Sequence, residues 1–228
     1  MIRNRLFRHG PVEPPGFDPS AVPDRPIDGT QQLGGQEYYC RTVESPDETW
    51  TVAFGRSTSD SESRLFRIQD GQIVDERPVT HPINGAIADD GTVALVSGTD
   101  STKIGSTLEV FGSDEPVFSR RFDATLGRPA ICTDGDLVAI STRPPTSTVY
   151  LIDVSSSEER ATCSVHGRTP RVLGFHGDDR HLYVGIGSGE TPYLGMDVDG
   201  DIVWGCERYQ ATRPLRDRVE SAFEIVRP

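Results

Sequence analysis

Lysine is nearly missing from this chain. Lys103 is its single example among 23 basic residues, and these stand against 35 acidic ones for a formal net charge of −12. That balance excludes the broad basic patch on which non-specific nucleic-acid or anionic-membrane binding depends. Long apolar runs are missing too: no stretch approaches 18 apolar residues, so no transmembrane helix is expected. The start, Met1-Ile-Arg-Asn-Arg-Leu-Phe-Arg8, lacks the apolar core of a secretory signal, and a cytoplasmic protein is expected. The four cysteines, Cys40, Cys132, Cys163 and Cys206, are far apart and form no C-x-x-C pair. They read as free thiols in a reducing compartment, not as a metal or disulfide framework. Extended helical periodicity is absent as well, which leaves an all-β chain punctuated by 23 Gly and 17 Pro.

An acidic, lysine-poor surface resembles those made by organisms that keep molar salt in their cytoplasm. At about 1 M salt the Debye length falls to about 3 Å and self-repulsion is screened. A halophilic source is the expectation, with Arg in place of Lys through high genomic GC as a partial alternative.

What the chain does contain is a repeat. An acidic turn followed by an alternating apolar strand occurs as Asp47-Glu-Thr-Trp-Thr-Val-Ala-Phe54, Asp90-Gly-Thr-Val-Ala-Leu-Val-Ser97, Asp134-Gly-Asp-Leu-Val-Ala-Ile-Ser141 and Asp179-Arg-His-Leu-Tyr-Val-Gly-Ile186. The leading Asp therefore recurs about every 43 to 45 residues, the period of a four-stranded propeller blade. Each unit reads as four strands. In the first, Arg64–Gln69 and Ile73–Val79 flank the hairpin turn Asp70-Gly71. In the last, Tyr193–Val198 is followed by Ile202–Arg208.

Tyr193-Leu-Gly-Met-Asp-Val-Asp-Gly-Asp-Ile-Val-Trp204 resembles the third-to-fourth strand hairpin of the PQQ-type propeller repeat. Val149-Tyr-Leu-Ile-Asp153 is a weaker copy, and Ser45-Pro46-Asp47 is similar to the turn of WD-like propellers. The resemblance spans residues 38 to 209 and implies a small β-propeller serving as a binding platform. Only Trp50 and Trp204 stand where PQQ-enzyme blades carry a full set of glycines and tryptophans, so no quinone or other cofactor is implied.

Three segments follow: a Pro/Gly-rich N-terminal extension (1–36), a propeller of four repeats (37–210) and a C-terminal segment (211–228). Pro11 to Gly35 reads as an extended linker. The ends leave alternatives open. Arg5-Leu-Phe-Arg8 copies Arg64-Leu-Phe-Arg67, and with Phe223–Val226 it could build a composite fifth blade, which would remove exposed sheet edges. Leu215, Val219 and Phe223 equally fit a short C-terminal helix.

Where one unit hands over to the next stand His81-Pro82, Arg128-Pro129, Arg168-Thr-Pro170 and Arg213-Pro214. In a propeller these connections surround one mouth of the central channel. His81, Arg128, Arg168 and Arg213 are therefore the candidate ligand-binding residues, since the planar fork of arginine grips carboxylate or phosphate. The ordinary alternative is that proline sets extended geometry in the preceding residue and marks a strand start.

Asp197-Val-Asp-Gly-Asp201 lacks the distal Glu of a calcium loop, and His166, His176 and His181 lack zinc spacing. No nucleophile elbow or phosphate-cradling loop is present. The expected protein is a non-enzymatic binding or scaffold propeller with a protein partner or an anionic small molecule at the inter-blade loops. A channel-site hydrolase or lyase acting on a sugar or anionic metabolite is the alternative.

Overall fold

The computed structural model describes Pro14, Phe17 and residues 26–99, 104–112, 116–165, 167–176, 179, 181–188 and 191–212. Its strands fall into four antiparallel sheets whose order in space follows their order in the chain. The first contains β1 (Ile27–Leu33), β2 (Gln36–Glu44), β3 (Trp50–Ser57), β4 (Ser63–Gln69) and β5 (Gln72–Pro78). The second contains β6 (Pro82–Ile87), β7 (Val93–Gly98), β8 (Ser106–Phe111) and β9 (Pro116–Phe122). The third contains β10 (Ala130–Ile131), β11 (Leu137–Ser141), β12 (Thr148–Asp153) and β13 (Glu159–Ser164). The fourth contains β14 (Pro170–His176), β15 (His181–Ile186), β16 (Pro192–Asp197) and β17 (Ile202–Gly205), followed by α1 (Glu207–Thr212).

This is the blade series of a β-propeller. Successive sheets meet through their early strands, β2 and β3 with β6, β6 with β10, and β10 with β14. Side chains alternate across each strand, so a blade has two apolar sides, and the second and third blades each pack against two neighbours. Val52, Phe54 and Leu65 of the first blade pack with Ile87, Val93 and Leu95 of the second. Val96, Leu108 and Val110 of the second pack with Val138, Ile140 and Ile152 of the third. Ala139, Val149 and Leu151 of the third pack with Leu182, Val184 and Met196 of the fourth. The opposite side of the first blade has its own cluster of Leu33, Tyr38, Cys40, Ala53 and Phe66.

Three details depart from the sequence reading. Ile27–Leu33 is no linker: it pairs with β2 in seven-residue register across Gly34-Gly35, whose φ values of 57° and 85° are cheap only for glycine. The last strand of the fourth blade stops at Gly205, and helix takes over from Glu207, so Ile202–Arg208 is not all strand. The fourth acidic turn is also offset by one residue. Glu48, Gly91, Gly135 and Asp179 all have positive φ, 62°, 84°, 78° and 61°. Asp179 thus occupies the left-handed position of its turn, whereas Asp47, Asp90 and Asp134 occupy the position before it. Arg5–Arg8, Leu215, Val219 and Phe223–Val226, on which a fifth blade or a C-terminal helix would rest, lie outside the described residues.

Candidate functional site

Four antiparallel strands in sequence put the first and third turns of every blade at one end. The second turn and the connection to the next blade lie at the other end. The first end is strongly acidic, and its turns form a continuous hydrogen-bonded series. In the first blade the Asp47 carboxylate accepts from Ser45 Oγ (2.7 Å) and Thr49 N (3.0 Å). In the third, Asp134 accepts from Cys132 Sγ (2.8 Å) and Asp136 N (3.1 Å). Cys132 is therefore the counterpart of Ser45. Its thiol is pushed up to about 12, first by burial and then by the Asp134 acceptor, so it remains a protonated donor. The turns are also tied to one another. Asp47 N donates to Asp89 Oδ1 (3.0 Å), Asp89 N to Thr133 O (3.0 Å), and Thr133 N to Asp179 Oδ2 (2.7 Å).

Cys132 Sγ and carboxylate oxygens of Asp134 and Asp179 lie within 4.8 Å of one another, a grouping that sequence spacing does not show. Each has a structural duty: Cys132 and Asp134 close their own turn, and Asp179 binds Thr133 across the blade boundary. Asp197 does similar work at a third turn, where its Oδ1 accepts from Asp199 N (3.1 Å) and Asp201 N (2.9 Å). The Asp197–Asp201 run is thus a hairpin cap.

The opposite end holds His81, Arg128 and Arg168. His81 is exposed and precedes β6 with φ of 43°, left-handed instead of the extended form a following proline favours. Its carbonyl accepts from Gly98 N at 2.9 Å. Arg128 is half-buried just before β10. The neighbouring Gly127 donates to Ser141 O at 2.7 Å, and a Cβ there would lie 2.6 Å from Ser141 Oγ. That hydroxyl donates across the blade boundary to Pro170 O at 3.1 Å. Arg168 stacks over Tyr193, 5.6 Å from the ring centre, which turns its guanidinium toward its own blade. Arg213 lies outside the described residues.

Register reveals two further arginines. On the first strands of three blades, Arg41 pairs with Phe54, Asn84 with Val96 and Arg171 with Gly185. In the third blade Ser141 meets Gly127, beside Arg128 and ahead of β10. Arg41, Asn84 and Arg171 are thus first-strand residues, and Arg128, just before β10, falls in step with them in the sequence at spacings of 43, 44 and 43. Arg41 links two blades. Its Nε donates to Asp28 Oδ1 (2.8 Å), while its terminal nitrogen donates to Ile83 O and Asn84 Oδ1 (3.4 Å). Arg171 donates to Ser188 O at 3.2 Å. Acidic groups share this end, but Glu62 is paired with Arg64 (3.1 Å) and Asp28 with Arg41.

Asp89 is a carboxyl raised above its ordinary range, by burial first and also by the charges of Asp47 and Asp179. It stands at the acidic end, away from Arg128 and Arg168. Among the described residues no helix is long and apolar enough to cross a membrane.

No family model and no curated protein matches the chain. Among solved structures, hydrazine synthase of Kuenenia stuttgartiensis is similar at a TM-score of 0.45 and 14% identity, over 69% of this chain and 58% of that one. A putative TolB from Agrobacterium tumefaciens is similar at a TM-score of 0.45 and 18% identity, over 71% of this chain and 59% of that one. The chain thus spans less than two thirds of either, and neither likeness bears on what it binds.

Proposed function

We propose that this propeller is a non-enzymatic binding module of the cytoplasm, holding an anionic small molecule or an acidic segment of a partner protein at the arginine-bearing end of its channel. The observation that supports the reading is the set of Arg41, Asn84, Arg128 and Arg171. Three of these are paired first-strand residues and Arg128 stands just before the first strand of its blade, in step with them in the sequence, toward the end opposite the acidic turns. His81 and Arg168 belong to the loops at that end. On a chain of net charge −12, cations gathered at one end concentrate the attraction for an anion, and guanidinium groups can hold carboxylate or phosphate in two-point contacts.

The test is affinity recovery of the tagged protein in parallel with an Arg128→Glu, Arg168→Glu double variant. Small molecules and proteins retained by each are identified by mass spectrometry. A ligand or partner held by the parent and lost from the folded variant supports the assignment. The same species held by both places binding elsewhere.

A further inference from the structure

We propose that Phe17 is a latch by which the chain's own N-terminal segment ties the first blade to the fourth. Phe17, whose N–H bonds Pro14 O at 3.2 Å, sets its ring 4.9 Å from that of His176 and 5.1 Å edge-on from that of Tyr183. Ten residues further on, Ile27 begins β1, which is held along its whole length in the first sheet. The intervening chain can span at most about 35 Å. One segment therefore has its ends on two blades that are furthest apart in sequence.

The surface under Phe17 is built to take an aromatic ring. Leu182 and Val184 point into the core shared with the third blade. Tyr183, between them, points to the other side of the fourth blade. A Cβ on Gly195 would lie 2.6 Å from the Tyr183 ring, so the glycine leaves room for Tyr183 to lie across the sheet. Tyr183 is 0% exposed and His176 is 5% exposed, and Trp204 closes the group with its ring 6.5 Å from that of Tyr183. On the first blade, the side turned away from the second carries buried Tyr38, Cys40 and Phe66. Both end sides of the blade series are thus apolar and withdrawn from water. Phe17 is the occupant seen on one of them, which argues for closure by this chain in preference to a second copy.

The test uses the full chain with a specific protease site introduced between residues 18 and 25, cut after folding. The latch predicts that the short N-terminal fragment stays with the cut body through gel filtration, as a single-copy particle at high and low concentration. Phe17→Ala should release the fragment, and Phe17→Leu should retain it weakly. Uncut Phe17→Ala should melt about 2–4 °C lower, the shift expected of one lost aromatic contact in a chain this size. Release of the fragment from the cut parent overturns the proposal, and this arm needs no variant to fold. Equal retention with Phe17→Ala also overturns it, as does a dimer that Phe17→Ala converts to monomer.

Discussion

Asp89 accepts a 3.0 Å hydrogen bond from the backbone N–H of Asp47, so the first turns of two successive blades are joined by a carboxylate at their boundary. The two acids respond oppositely to this arrangement. Asp47 is held down to about 2, chiefly by the Ser45 hydroxyl and then by the N–H and hydroxyl of Thr49. Asp89 is raised, chiefly by burial.

The pH dependence of stability follows from these signs. The Asp47 contribution is present above its unfolded pKa of about 3.9 and lost as pH falls through about 2. The Asp89 contribution has the reverse sense: it is fullest below the unfolded value and declines as pH rises through the folded one. At pH 7, Asp47→Asn should lower the melting temperature, with the difference from the parent vanishing near pH 2. Asp89→Asn keeps an acceptor for Asp47 N and should leave the melting temperature unchanged or higher. Calorimetry across pH decides. A larger loss for Asp89→Asn than for Asp47→Asn at pH 7 contradicts the assignment.

A second boundary device is Arg67, which is buried in β4 of the first blade. It donates to Gly91 O (3.1 Å) and Gly112 O (2.8 Å) of the second blade and lies 5.6 Å over the Trp50 ring. Asp75 stands 3.4 Å from its Nε. Arg67→Met removes the donors from two carbonyls and should cost about 3 kcal/mol in urea unfolding. Gly91 has φ of 84°, and a Cβ there would lie 2.8 Å from the Trp50 ring. Gly91→Ala should therefore cost about 2 kcal/mol from strain and overpacking together. Loss of less than about 0.5 kcal/mol in either variant would remove Arg67 and Trp50 as the clamp between these blades.

Salt should matter more than in a protein of balanced charge. The turns of the acidic end gather Asp47, Asp89, Asp90, Asp134 and Asp179 within a chain of net charge −12. Raising KCl from about 0.01 M to about 1 M shortens the Debye length from about 30 to about 3 Å and should raise the melting temperature by several degrees. Asp90→Asn combined with Asp134→Asn should reduce that rise. A melting temperature indifferent to KCl would show that the repulsion is not felt in the folded state.

The blade repeat was legible because the same physical demand recurs. Each turn needs a carboxylate to accept local N–H groups and a left-handed residue after it. The following strand needs apolar side chains on both sides. The fourth turn misled by one residue because Asp178-Asp179 offers two candidates, and only backbone φ places Asp179 with Glu48, Gly91 and Gly135. Strand β1 was hidden for a different reason. Most of its side chains are exposed or half-exposed, and its sequence, Ile-Asp-Gly-Thr-Gln-Gln-Leu, shows no apolar alternation. Backbone pairing with β2 defines it. Arg41 and Arg171 were within reach, since they stand in step with Asn84 and Arg128 at 43 or 44 residues. Attention to residues preceding proline selected His81 and Arg168 in their place. Phe17 gave no signal, because its partners His176 and Tyr183 are about 160 residues distant in the chain.

The most direct test of the binding end is an anion titration followed by thermal shift at fixed KCl, with inorganic phosphate and a tricarboxylate as probes. The parent is compared with the Arg128→Glu, Arg168→Glu variant, with Arg41→Glu, and with Arg160→Glu as a control whose arginine pairs with Asp153 at the acidic end. The account predicts saturable stabilisation of the parent and of Arg160→Glu, and its loss from the folded Arg128→Glu, Arg168→Glu and Arg41→Glu proteins. Equal stabilisation of all four would contradict it.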